Sequence, residues 1–144
     1  MGHEDLLEEE IMCRVLTVSS SRTDESDESG GLIEDLLGKE GHTVESKNLV
    51  PDRTDSIKKE IEEAVAAEAR VLVITGGTGL SRRDQSVDVL EKLEDKGLPG
   101  FGEAFRRLSF EDIGPRAMLS RARASVVDDT LVFSLPGSPA AVEL

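Results

Sequence analysis

The chain has no tryptophan, no tyrosine, only four phenylalanines and a single cysteine in 144 residues. One cysteine, Cys13, excludes an intrachain disulfide and fits a reducing compartment. Beside an apolar run it reads as a small hydrophobe rather than a nucleophile. Of the four aromatics, Phe101 and Phe105 stand at helical spacing, which suits a core or a subunit interface better than a base-stacking platform. Basic residues are also scarce, 17 Lys and Arg against 30 Asp and Glu, for a formal charge of −13. Nucleic-acid binding relies on a basic footprint, so no nucleic-acid partner is expected. No apolar run approaches the roughly 20 residues that span a bilayer, so no membrane partner is expected either. The start, Met1-Gly2-His3-Glu4-Asp5, is acidic where a secretory signal is basic, and the expected location is the cytoplasm.

The charge that is present is uneven. Residues 1–80 carry 19 acids against 8 bases, whereas 81–144 carry 11 against 9. The acidic half reads as a solvated surface. In the other half Arg106, Arg107, Arg116, Arg121 and Arg123 outnumber Glu103, Glu111 and Asp112 within 101–127, and an anionic ligand would be tolerated there. At 38% hydrophobic residues and this length, one domain with one sizeable core is expected over 14–144, behind an acidic lead-in at 1–13.

Short apolar runs alternate with helical patterns along the chain. Arg14 to Val18 reads as a buried strand, and 19–29 as a Ser/Asp/Glu-rich loop. Leu32, Ile33, Leu36 and Leu37 mark a helix that Gly41 would close, and 43–49 suits a second strand. Thr54 or Asp55 is the expected N-cap of a helix burying Ile57, Ile61, Val65 and Ala69. The strand 71–75 follows, then a helix marked by Val87, Leu90 and Leu93. Pro99-Gly100 breaks the pattern, and Phe101, Phe105 and Leu108 suggest a short further helix. Residues 125–127 and 130–135, joined by Asp128-Asp129, read as a hairpin at one sheet edge. Such alternation predicts an α/β fold with a mostly parallel, mixed sheet and helices on both faces. At Ala140 to Leu144 a helix is barely begun, so a further C-terminal helix is expected beyond this point.

The run Val71-Leu72-Val73-Ile74-Thr75-Gly76-Gly77-Thr78-Gly79 carries the most chemistry. A β-branched strand empties into three glycines within four positions, where backbone amides can approach an anion closely. Thr75 and Thr78 add hydroxyls, and Arg82, Arg83 and Asp84 add charge. The spacing is neither that of a Walker loop nor of a dinucleotide fingerprint. In an open α/β sheet the loops at strand ends, here 19–29, 76–84 and 136–139, converge on one edge, and Asp52 leaves the second strand beside them. Ser19, Ser20, Ser21 and Ser29 are potential donors to phosphate, although serine-rich turns are ordinary. Asp52 and Asp84 at such an edge would hold Mg²⁺ between protein and phosphate oxygens; spacing alone equally allows a turn residue and a helix cap. His3 and His42 have no partners at ligand spacing.

Taken in order, these segments resemble the MoaB/Mog family of molybdenum-cofactor biosynthesis proteins. Thr75 to Gly79 with Arg83-Asp84 is similar to the family's TGGTG…RD signature. Asp27-Glu28-Ser29-Gly30 resembles its DxSG element and Val50-Pro51-Asp52 its VPD turn. Pro99 to Glu103 with Arg106, Ile113-Gly114, Met118-Leu119-Ser120-Arg121 and Leu135-Pro136-Gly137-Ser138-Pro139 complete the set. The chain departs from the pattern at Ser20, where an aspartate is frequent, and at Gln85-Ser86, where Val-Thr is usual. The resemblance implies a three-layer α/β/α sandwich, a homotrimer or higher multiple, and binding of the phosphorylated pterin molybdopterin. In the active branch it implies Mg²⁺-dependent transfer of AMP from ATP to that pterin before molybdenum insertion. An alternative branch binds the pterin without adenylylating it. Carried over by position, Asp52 and Asp84 match the catalytic acids. Gly76, Gly77, Thr78, Gly79, Ser109, Ser120, Gly137 and Ser138 match the pterin- and nucleotide-binding edge, with Thr75, Ser29 and Pro136 beside them.

Overall fold

Six strands form one sheet in the order β2-β1-β3-β6-β5-β4 in the computed structural model, which describes residues 11–19, 27–82, 84–137 and 142. β1 (Met12–Val18), β3 (Val71–Thr75) and β6 (Thr130–Leu135) run parallel to one another at the centre, with β2 (Thr43–Val50) parallel outside β1. β5 (Arg123–Val127) pairs antiparallel with β6, and the two-residue β4 (Lys96–Gly97) with β5. Val15, Leu16, Thr17 and Val18 are all buried, so β1 has no polar alternation; both of its faces are covered, as parallel strands require.

Four helices supply the cover: α1 (Glu28–Lys39), α2 (Thr54–Ala66), α3 (Ser86–Leu93) and α4 (Pro99–Ile113), the last followed by a 3-10 helix at Gly114–Leu119. On one face Ile57 and Ile61 of α2 and Val89 and Leu90 of α3 pack with Leu16, Leu72, Ile74 and Val132. On the other, Ile33 of α1 packs with Val15 and Val73, and Phe101 of α4 meets the edge of Phe133 at 5.0 Å. The result is the expected three-layer α/β/α sandwich. No described helix is long and apolar enough to cross a membrane.

Four local expectations need correction. The hairpin β5–β6 is not the sheet edge: β6 lies beside β3 inside the parallel core, and β4 borders β5. Two residues are too few to show alternation, so β4 left no pattern. The helix after Pro99 is not short; Pro99 begins a 15-residue helix, its fixed φ suiting the first turn. At α2 the N-cap is Arg53, which makes no side-chain capping bond, and Asp55 accepts from the Ser56 amide instead. The buried third position of α2 is Ala64 rather than Val65, and Ala69 is buried beyond the helix end.

Candidate ligand site at the carboxyl edge

All three parallel central strands end at one edge, and their loops are bonded to one another. The Gly76 amide donates to the Leu135 carbonyl at 2.8 Å, and Thr75 Oγ1 donates to the Pro136 carbonyl at 2.9 Å. Ser29, buried at the start of α1, donates Oγ to the Gly137 carbonyl at 2.8 Å. The sequence-derived set Thr75, Gly76, Ser29, Pro136 and Gly137 is therefore one contiguous wall. Ser138 and Arg83 lie outside the described residues.

The glycines are dictated by this crowding. Gly76 has φ +100°, and a Cβ there would stand 2.2 Å from the Val18 carbonyl oxygen. Gly77 has φ +73°, and its Cβ would stand 2.2 Å from Ser86 Oγ. Left-handed backbone and missing space both exclude a side chain. Ser86, the first residue of α3, is fully buried, and its hydroxyl has no partner. A buried hydroxyl without a bond costs about 1–3 kcal/mol, so a polar ligand in the glycine loop would relieve it. The neighbouring helix N-terminus favours an anion.

Asp52 reaches this loop from the end of β2. Its Oδ1 accepts from the Gln85 amide at 3.1 Å, so the side chain bridges segments 33 residues apart rather than merely closing a turn. Burial pushes the Asp52 carboxyl above the ordinary Asp range; the Gln85 amide opposes this, and the charges of Asp84 and Asp88 add to it. Asp84 is not a helix cap: Gln85 holds that position, and Asp84 Oδ2 accepts from the Ser81 amide at 3.0 Å. No cluster of three or more His, Cys, Asp or Glu side chains suited to a metal exists among the described residues. Mg²⁺, however, commonly takes only one or two protein carboxylates and leaves the rest to water and phosphate. Two hard oxygen donors whose like charges raise Asp52 fit such a cation.

Thr78 is buried, and its carbonyl accepts from the Arg121 amide at 3.0 Å; Gly79 O accepts from Arg121 Nε at 2.9 Å. Ser120 thus stands next to the residue that grips the loop, although its own Oγ accepts from the Ala122 amide. Ser109 is buried on α4, one turn beyond Arg106, which donates to the Ser120 and Ala122 carbonyls. No hydrogen bond joins Ser109 to the glycine loop among the described residues.

Sequence reasoning missed three residues here. Asp27 is buried, caps α1 through the Gly30 amide at 3.0 Å, and accepts the Thr17 hydroxyl at 2.6 Å. A Cβ on Gly30 would stand 2.3 Å from Asp27 Oδ2, so the Asp-x-x-Gly spacing was the available signal. Ser86 and Arg121 were visible only as a hydroxyl and a charge. Arg82, named with Arg83 for the charge they add beside the loop, is exposed, and its carbonyl accepts from the Gln85 side chain.

The family model described as a probable molybdopterin binding domain matches residues 14–144. Molybdenum cofactor biosynthesis protein B of Bacillus cereus is 42% identical over 144 residues, covering 99% of this chain and 85% of that protein. A crystal structure titled Molybdenum cofactor biosynthesis protein B superposes with a TM-score of 0.91 at 40% identity, covering 94% of this chain and 86% of that one. The tungsten cofactor synthesizing protein MoaB from Pyrococcus furiosus gives a TM-score of 0.83 at 38% identity, covering 94% and 87%. By that match and those identities, the chain belongs to the MoaB/Mog family of molybdenum cofactor biosynthesis proteins, built on the probable molybdopterin binding domain.

Proposed function

We propose that this protein acts in molybdenum cofactor biosynthesis in the cytoplasm, as a molybdopterin adenylyltransferase. The terminal phosphate oxygen of molybdopterin attacks the α-phosphorus of ATP. The bond from that phosphorus to the bridging oxygen breaks, and pyrophosphate leaves. Such a transfer asks little covalent chemistry of a protein; alignment and neutralisation of charge supply most of the rate. The glycine-loop amides and the Ser86 hydroxyl bind phosphate oxygens. Asp52 and Asp84 would hold Mg²⁺, which supplies neutralising charge and a template for the phosphate oxygens. Thr75 and Ser29 brace the loops that enclose the ligand.

The observation that carries this reading is the meeting of Asp52 with the glycine loop through the Gln85 amide, which brings both carboxylates to the edge where Ser86 lacks a partner. A pterin binder alone has no need of a carboxylate pair that would hold Mg²⁺ beside an anion site. The test is pyrophosphate release from ATP and molybdopterin with and without Mg²⁺. Wild-type protein releases it only with Mg²⁺, and Asp84→Asn lowers the rate by about a hundredfold. Pterin binding by wild type without pyrophosphate release would give the binding-only function instead.

We further propose that the chain assembles as a homotrimer or higher multiple. Phe110, Met118 and Leu119 are 55%, 77% and 53% exposed on α4 and the 3-10 helix, an apolar surface that a lone chain leaves wet. Light scattering reads the mass directly, and a monomer at micromolar concentration would contradict this.

A further inference from the structure

Three carbonyls of the ligand edge turn toward one residue, two of them toward its side chain. Arg121 gives its backbone amide to Thr78 O at 3.0 Å and its Nε to Gly79 O at 2.9 Å. One terminal nitrogen donates to Asp84 O at 3.2 Å. The two terminal nitrogens also form a fork on Asp88 of α3, at 3.0 Å to Oδ1 and 3.1 Å to Oδ2. Asp88 thereby fixes the plane of the guanidinium, and that plane fixes where the remaining donors point.

The consequence runs through peptide geometry. Every described peptide is trans, so each C=O and the N–H that follows it point in opposite directions. With Thr78 O and Gly79 O held by Arg121, the amides of Gly79 and Leu80 are turned away from it. The Asp84–Gln85 peptide shows the full relay: its carbonyl is held by Arg121, and its amide lands on Asp52 Oδ1 at 3.1 Å. A cation on the carbonyl side also polarises the amide that holds the carboxylate.

We infer that Arg121, oriented by Asp88, is a positioning residue that sets the amide directions of the glycine loop and, through the 84–85 peptide, the placement of Asp52. It touches neither ligand nor metal in this role. The effect on catalysis rests on the adenylyl-transfer reading above; the effect on the loop does not.

The experiment compares full-length wild type with Arg121→Gln, Arg121→Lys and Asp88→Asn by amide hydrogen exchange without ligand, thermal unfolding and AMP-transfer kinetics. In Arg121→Gln the Gln85 amide exchanges about tenfold faster while core amides of β1 and β3 keep their rates. Its kcat falls about thirtyfold, with less than about a threefold change in KM for ATP. Arg121→Lys keeps the charge, and the folded state survives heating as in wild type. Lacking the fork, it keeps the fast Gln85 exchange and the low kcat. Asp88→Asn moves both in the same direction by about threefold. Wild-type exchange at Gln85 in Arg121→Gln overturns the inference, as does recovery of kcat in Arg121→Lys. Absence of AMP transfer from wild type would overturn the proposed reaction, and the exchange arm would still decide the role of Arg121.

Discussion

The two ends of the sheet are built on opposite terms. At the amino end a cavity of about 770 Å³ opens among Glu68, Arg70, Asp128, Asp129 and Thr130. Turn bonds close around it: Thr130 Oγ1 donates to Ala69 O at 2.7 Å, the Leu131 amide to Arg70 O at 2.9 Å, and the Asp128 amide to Asp95 Oδ2 at 2.6 Å. At the carboxyl end the loops are pressed together by glycines, yet the buried hydroxyls of Ser86 and Ser134 have no partner. The void is thus a gap between hydrogen-bonded turns, while the crowded end holds buried hydroxyls with unmet bonding. Volume locates space; unsatisfied donors and enforced close approach locate a ligand.

Two glycines with positive φ separate these ends experimentally. Gly77→Ala forces a Cβ into Ser86 Oγ at φ +73°, in the middle of the ligand loop. AMP transfer should fall by about a hundredfold or more, and stability by about 1–3 kcal/mol. Gly41 has φ +84° at the C′ position after α1, with nothing within 4 Å of an added Cβ. Gly41→Ala should cost about 1 kcal/mol of stability and leave the rate unchanged. Pyrophosphate release and thermal melts on the two variants measure this, and equal losses of activity would erase the distinction.

A smaller and opposite effect on stability is expected at Asp52. Its folded pKa is raised by burial and by the charges of Asp84 and Asp88. The native state therefore holds this proton longer than the unfolded chain does. Stability falls as pH rises from the ordinary Asp range through the folded pKa, and the loss persists above it. Asp52→Asn removes that penalty and retains an oxygen for the Gln85 amide. At pH 7 the variant should melt about 1–3 °C higher than wild type while losing AMP transfer, and its thermal advantage should vanish below the ordinary Asp pKa. A lower melting temperature at pH 7 would show that the carboxylate is stabilising and not strained.

How much of this was legible follows from the range of each interaction. β1 and β3 were legible as short continuous apolar runs, and the helices α1 to α3 because burial repeats about every 3.6 residues. The glycine loop was legible because strand and loop are adjacent in the chain. The acidic pair was named, but its link through Gln85 was not, since that bond spans 33 residues. Arg121 stood out only as part of a charge excess; its targets at Gly79, Asp84 and Asp88 lie 42, 37 and 33 residues away. Arg82 and Arg83 were named for their place beside the loop in sequence, and of the two Arg82 is described and exposed in the fold. Asp27 was read only as part of a loop and a motif, because its burial comes from Thr17, on a strand ten residues earlier.

The amino end offers one more contrast, the smallest in magnitude. α1 and α2 finish in the same way: the residue after the cap donates to the carbonyl three positions back, and the next residue to the one five back. For α1 these bonds are Gly41 to Gly38 and His42 to Leu37; for α2 they are Glu68 to Val65 and Ala69 to Ala64. The left-handed position is glycine in the first and Glu68, at φ +59°, in the second. A side chain in that conformation costs about 1–2 kcal/mol, and a glycine's greater freedom in the unfolded chain returns part of it. Glu68→Gly should therefore stabilise the fold by about 0.5–1 kcal/mol and leave AMP transfer unchanged. Denaturant melts would read the gain as a higher midpoint at constant slope. A loss of activity would mean that the amino end, with its cavity, communicates with the ligand edge after all.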